Sequence, residues 1–140
     1  MHWSNGIVLV VDREGEVLEI LRTALQATDY VVLHAATGDE ALAVISRLKY
    51  HIDLTVIDLE LPNDDGLVIS LLTLFGRKQS TKIIVKTSRQ DKPFLELVNH
   101  FGIDGIVLKP ISEDDLIKTV RETLSGLRNG SAEVRTGTAA

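Results

Sequence analysis

The chain has 140 residues, of which 44% are hydrophobic and 25% charged, with a net charge of −5 at neutral pH. That length suits one domain with a single buried core, and a pI near 5.3 argues against sequence-independent nucleic-acid binding by this domain, which needs a basic surface. The absence of cysteine removes disulfide and thiol chemistry and fits the cytoplasm; no apolar run approaches the ~20 residues of a membrane span, and MHWSNG lacks the apolar core of a signal peptide.

After an N-terminal extension at residues 1–5, GIVLVV predicts a strand near 6–11 that ends at Asp12. Val17, Ile20, Leu21, Ala24 and Leu25 then follow the i, i+3, i+4, i+7, i+8 stripe of an amphipathic helix. A second strand is predicted near 30–35, and a second helix carries Ala41, Val44, Ile45 and Leu48 on one face. Thr37 and Glu40 are spaced as its capping box. LTVID closes a third strand near 53–58 at Asp58, and Gly66 to Phe75 predicts a mostly apolar third helix ending at Gly76, a C′ glycine.

The fourth strand, near 82–87, ends in IIVKT. Lys86 interrupts its apolar run; close to the strand end its ammonium can reach water, and the sequence assigns it no role. Phe94, Leu97, Val98 and Phe101 form the next helical stripe, closed by Gly102, and GIVL at 105–108 leads into Lys109. Ser112 before Glu113, Asp114 and Asp115 is an N-cap followed by acidic residues that the helix dipole favours. Leu116, Ile117, Val120 and Leu124 are expected to face the core. RNGSAEVRTGTAA then has no apolar period, so the domain is placed at 6–126 and a flexible tail or linker at 127–140.

Five short Val- and Ile-rich strands alternating with helices predict an α/β fold, a (βα)5 doubly wound parallel sheet covered on both faces. The carboxyl ends of such strands converge on one crevice, where ligands bind. Asp12, Asp58, Thr87 and Lys109 all stand at those ends. Taken singly, a strand-terminal Asp is a common turn former, a Lys near a sheet edge commonly snorkels, and a Thr there serves β-propensity. Their convergence is what points to a cation and phosphoryl chemistry. His2, His34, His51 and His100 lack metal-ligand spacing and read as structural or surface residues. Neither G-x-G-x-x-G nor a Walker pattern is present, which argues against a flavodoxin-like enzyme or nucleotide binder.

With VLVVDRE, VIDLELPNDDG, IIVKTS and GIVLKP in this order, the chain resembles the receiver domain of two-component response regulators over roughly residues 6–125. The resemblance implies the flavodoxin-like strand order 2-1-3-4-5. It also implies that Asp58 is the phosphoacceptor and that Lys109, followed by Pro110 at a cis peptide bond, pairs first with Asp58 and then with phosphoryl oxygens. Thr87 is the implied switch hydroxyl. Mg²⁺ is the implied cofactor, held by Asp12, Asp58 and the backbone carbonyl of Glu60. Asp65-Gly66 fits the family's turn before the third helix. The implied partners are a sensor histidine kinase or phosphotransfer protein and an output domain or effector, and receivers frequently form a homodimer through their fourth and fifth helices. Turnover of an external substrate is not implied.

Two positions depart from the family pattern. Arg13 stands where a second metal-binding carboxylate is usual, and a guanidinium cannot ligate a cation. Three consequences are open: weakened Mg²⁺ affinity with Asp12 and Asp58 still adequate, Glu14 reaching back into the site, or Arg13 itself supplying positive charge to a metal-independent site. Ile106 stands where the family often carries an aromatic switch residue, so coupling through a rotating ring is not available. Glu60 and Arg89, two residues beyond Asp58 and Thr87, flank the implied phosphoryl site and are read mainly as a solvent-exposed ion pair of little consequence. The main reading is a phosphorylated receiver; the alternative is a degenerate receiver acting as a phosphorylation-independent dimerisation or docking module.

Overall fold

The computed structural model describes residues 6–48, 51–61, 81–126 and 134–135. The predicted helix at 66–75 and the Asp65-Gly66 turn lie outside the described residues. Within them, strands β1 (Gly6–Val11), β2 (Tyr30–Ala35), β3 (Ile52–Asp58), β4 (Lys82–Thr87) and β5 (Gly105–Leu108) pair in parallel in the order β2-β1-β3-β4-β5. This is the doubly wound, flavodoxin-like order that the resemblance implies. A two-residue strand, β6 (Val134–Arg135), adds parallel to β5 with Ile106 opposite Val134. The polar stretch after residue 126 carries no alternation that announces this pairing.

Alternation along the central strands sorts their side chains between two cores. Ile7, Leu9, Val11, Ile57, Ile83 and Val85 point into one, with Ala41 of helix α2 (Gly38–Arg47) and Phe94 and Val98 of helix α3 (Lys92–Phe101). Val8, Val10, Leu54, Val56 and Ile84 point into the other, with Val17 and Leu21 of helix α1 (Glu16–Ala24) and Leu116 and Val120 of helix α4 (Glu113–Leu124). Because Leu9 and Leu54 are fully buried, truncating either to alanine is worth about 2–5 kcal/mol of stability. The cores hold the strand ends rigidly where the site is built.

The helix ends follow their sequence signals. Glu40 N–H donates to Thr37 Oγ1 at 3.1 Å, while Glu40 Oε1 accepts from the Ala36 amide at 3.2 Å, one residue ahead of the usual capping-box return. Ser112 Oγ accepts from Asp115 N–H at 3.3 Å. Gly102 ends α3 with φ +66°, the left-handed conformation that costs glycine least.

Two predicted faces need correction. Phe94 and Val98 are buried, but Leu97 of the same stripe is exposed. In α4, Leu116 and Val120 face the core and the partly buried Leu124 packs against it, whereas Ile117 lies outside it and Thr119 and Thr123 take inner positions. Gly105 explains the choice: a Cβ there would lie 2.9 Å from Thr119 Cγ2, so helix and strand approach too closely for longer side chains. Thr123 makes burial tolerable by donating its hydroxyl to the Thr119 carbonyl at 2.7 Å.

Candidate functional site

The rows of side chains facing α1 and α4 end in charge. Val8 and Val10 lead to Asp12, Leu54 and Val56 to Asp58, and Ile84 to Lys86, all with the same strand parity. The β3–β4 register sets Asp58 directly opposite Lys86. Parity and register therefore force two carboxylates and an ammonium into one buried corner. Lys86 Nζ lies 2.8 Å from Asp12 Oδ2 and 3.9 Å from Asp58 Oδ2. Lys86 is only 2% exposed, Asp12 1% and Asp58 5%. The expectation that the Lys86 head group reaches water is thus wrong. The Lys86 stem follows the parity of Ile84 toward the core shared with α1 and α4, and its ammonium meets carboxylates instead of water.

Short-range bonds fix both acids. Asp12 Oδ1 accepts from Glu14 N–H at 2.9 Å, a local turn that leaves Glu14 itself exposed. His34 Nε2 lies 2.8 Å from the Asp12 carbonyl, tying β2 to the same loop. Asp58 Oδ1 accepts from Glu60 N–H at 2.9 Å and lies 3.0 Å from Lys109 Nζ. The Lys109–Pro110 peptide is cis.

The outer half of the site is organised by the Glu60 side chain. Its Oε2 accepts from Thr87 Oγ1 at 2.7 Å, Ser88 N–H at 2.9 Å and Ser88 Oγ at 3.0 Å, and its Oε1 lies 2.9 Å from Lys109 Nζ. Partial burial pushes this carboxyl up, but the bonds from Thr87, the Ser88 amide, Lys109 and the Ser88 hydroxyl outweigh it and lower it from 4.5 to about 2. For Lys109, partial burial works downward; its bonds to Glu60 and Asp58 and their negative charge win, leaving the ammonium above its usual range. Glu60 does not form its ion pair with Arg89. Arg89 instead bonds Asp91 through Nε at 3.0 Å and Nη2 at 2.8 Å, and its guanidinium carbon lies 5.2 Å from the Phe94 ring centroid. Asp91 is also the N-cap of α3, accepting from Phe94 N–H at 3.2 Å.

Of the predicted residues, Asp12, Asp58, Thr87, Lys109 and Glu60 are brought together. Arg13 and Glu14 are exposed and Arg89 faces outward. Ile106 is buried in the core shared with Val85 and Phe94, packing where the family often places a ring. Lys86 and Ser88 were missed. Strand parity could have found Lys86, because it shares the parity of Ile84. Nothing local in the sequence announces that Ser88 turns both its amide and its hydroxyl toward Glu60.

A parallel sheet that gathers acids, a hydroxyl and lysines at its carboxyl edge is the setting in which the comparisons with known proteins are read. Residues 8–121 match the response regulator receiver domain family. The transcriptional regulatory protein ResD of Bacillus subtilis (strain 168) is 31% identical over 117 residues, covering 84% of this chain and 47% of that protein. The probable transcriptional regulator ycf27 of Porphyridium aerugineum is 30% identical over 125 residues, covering 89% of this chain and 50% of the relative. Among solved structures, the receiver domain of the Francisella response regulator 1452 aligns with TM-score 0.68 and 28% identity, covering 88% of this chain and 99% of that one. A CheY-like receiver domain protein from Methanospirillum hungatei JF-1 aligns with TM-score 0.70 and 26% identity, covering 86% and 94%.

The chain belongs to the response regulator receiver domain family of two-component signalling. It spans about half the length of the curated relatives it matches. No helix among the described residues is long and apolar enough to cross a membrane.

Receiver domains generally bind Mg²⁺ at this acidic pocket, but the residues present here do not fit a divalent cation. Among the described residues no group of three or more His, Cys, Asp or Glu side chains is arranged to hold a metal. The two acids that remain already share an ammonium. A divalent ion drawn to the same oxygens would stand within about 4 Å of that ammonium, where a 2+ and a 1+ charge repel by roughly 8 kcal/mol at an effective dielectric near 20. Of the consequences left open by the sequence, a site carrying its own cation is the one this arrangement favours, and the cation is Lys86 rather than the exposed Arg13.

Proposed function

We propose that this receiver takes a phosphoryl group on Asp58 from the phosphohistidine of a sensor histidine kinase or phosphotransfer protein, and that the change in charge is passed to an output domain or effector. The observation that carries this reading is the Asp58 carboxylate, buried at the end of β3 and polarised by Lys109 at 3.0 Å and the Glu60 amide at 2.9 Å. Both contacts fall on Oδ1, which leaves Oδ2 to attack phosphorus. A P–O bond forms to Oδ2 as the P–N bond to the donor imidazole breaks, and the nitrogen keeps the electron pair. Water later attacks the acyl phosphate and releases inorganic phosphate. Apart from assisting these two steps on itself, the domain turns over no external substrate.

The new phosphoryl oxygens need donors, and Thr87, Ser88 and Lys109 are already gathered around an anion, the Glu60 carboxylate. In this reading Glu60 holds the place of the phosphoryl group and yields its donors when Asp58 is charged. Exchange of one anion for another supplies a signal without the aromatic rotation that Ile106 precludes. The setting is the cytoplasm, and two phosphorylated copies are the natural candidate for a homodimer.

The test is intact mass after incubation with acetyl phosphate. A single phosphoryl adduct is expected on the wild type and none on Asp58→Asn. An adduct that persists in Asp58→Asn would place the acceptor elsewhere, and its absence from the wild type would favour a docking module instead.

A further inference from the structure

We propose that Lys86 is this receiver's resident cation: its ammonium takes the position and the charge-neutralising role of the divalent metal, so that Asp58 reacts without Mg²⁺. The inference rests on the assignment of Asp58 as phosphoacceptor. It starts from the strand register, which sets Lys86 opposite Asp58, and from burial, which keeps the ammonium among protein groups with little water around it. Its two neighbours are the acids a metal would need, Asp12 at 2.8 Å and Asp58 at 3.9 Å.

The two distances are unequal in a way that suits the chemistry. At 2.8 Å the ammonium is hydrogen-bonded to Asp12, and that acid anchors it. At 3.9 Å from Asp58 Oδ2 it is too far for a hydrogen bond, yet close enough for its charge to act in a poorly hydrated corner. Oδ2 therefore keeps its lone pair for phosphorus while the field around it is positive. Lys86 and Lys109 offset the charges of the two buried acids, and without Lys86 three carboxylates, Asp12, Asp58 and Glu60, would share the single ammonium of Lys109. Lysine suits this role because it is a compact point charge with three donors, of which Asp12 engages one. The other two N–H groups would be free to donate to phosphoryl oxygens that gather at Oδ2.

A metal-dependent receiver and this one differ in a direct measurement. Wild-type protein is incubated with acetyl phosphate in excess EDTA and, separately, in excess Mg²⁺, and the adduct is followed by intact mass; comparable rates are expected. Direct Mn²⁺ binding to the unphosphorylated protein is measured by electron paramagnetic resonance, and none is expected. Lys86→Gln keeps a donor for Asp12 but removes the charge. Once circular dichroism shows it folded, it is expected to bind Mn²⁺ and to form adduct at least about tenfold faster with Mg²⁺ than with EDTA. Lys86→Arg keeps a positive charge and is expected to bind no Mn²⁺, which preserves the test if the glutamine variant does not fold.

An adduct on the wild type that forms only with Mg²⁺, or Mn²⁺ bound by the wild type, overturns the proposal while leaving Asp58 as acceptor. No adduct in either buffer overturns the acceptor assignment and the metal-free reaction with it. The Mn²⁺ measurements then still decide whether Lys86 excludes the metal.

Discussion

Two ion pairs in this protein have the same closest separation and opposite surroundings. Lys86 and Asp12 meet at 2.8 Å with side chains 3% and 2% exposed; Arg89 and Asp91 meet at 2.8 Å with side chains 52% and 45% exposed. Distance therefore does not rank them. In the buried pair neither charge has water to fall back on, so each makes the other's burial tolerable. In the surface pair either group can be rehydrated when its partner is lost, and salt screens what attraction there is. Similar geometry thus serves two ends, a buried charged centre beside Asp58 and a local clasp at the start of α3.

The comparison breaks most decisively at Lys86. Replacing it with methionine leaves Asp12 and Asp58 buried beside each other without their shared cation, and a loss of about 3–5 kcal/mol in urea unfolding is expected. Added Mg²⁺ should recover part of that loss in Lys86→Met and change nothing in the wild type. If the variant is as stable as the wild type, the buried pair is no more consequential than the exposed one. Asp12→Asn tests the same contact from its other side. The amide still offers Lys86 an acceptor, so the cost falls to about 1–3 kcal/mol. Equal costs for the two substitutions would show that geometry, not charge, holds the corner.

These residues also mark what the sequence discloses. The strands near 6–11, 30–35, 82–87 and 105–108 coincide with those observed, because a fully covered parallel sheet writes itself as short Val- and Ile-rich runs. Asp12, Asp58, Thr87 and Lys109 were visible as strand-end polar residues. Lys86 was visible too, but as an interruption of an apolar run; only parity and register turn it into the third member of a charged corner. Thr119 and Thr123 were hidden for a tertiary reason, the close approach of α4 at Gly105. The Glu60 side chain was hidden because its partners come from the end of β4 and the loop after β5, and loop side-chain directions are not periodic. The spacing of Arg89 and Glu60 from Thr87 and Asp58 suggests a pair, yet Asp91 lies two residues from Arg89 and offers both carboxylate oxygens.

Glu60 lies between the extremes, half-buried and bonded to Thr87, Ser88 and Lys109. Glu60→Ala removes the anion that holds those donors, so beryllofluoride, a phosphoryl analogue, is expected to bind the variant about tenfold more tightly. Weaker binding would show that Glu60 aligns the donors instead of competing for them. The same carboxylate gives a pH signature. Its folded value of about 2 lies below its ordinary 4.5, so its contribution to stability is present above about 4.5 and is lost as the pH falls from there through about 2. The difference in urea midpoint between wild type and Glu60→Gln should therefore be largest near neutrality and close as the solution is acidified. A gap that stays constant would mean that the charge of Glu60 is not what stabilises the fold.

The smallest effect is expected at the surface pair. In Arg89→Ala, Asp91 keeps the bond it accepts from Phe94 N–H and so still caps α3. What is lost is a screened ion pair and the packing of a guanidinium against the Phe94 ring. The Asp91 carboxyl, held down to about 2 first by the Arg89 bonds, should move back toward its ordinary value, a change that NMR titration of the side chain can follow. Unfolding in urea should be hardly displaced, and high salt should shrink the displacement further. A loss comparable to that of Lys86→Met would reverse the comparison, because it would mean that the start of α3, and not the buried corner, is where charge pairing holds this receiver together.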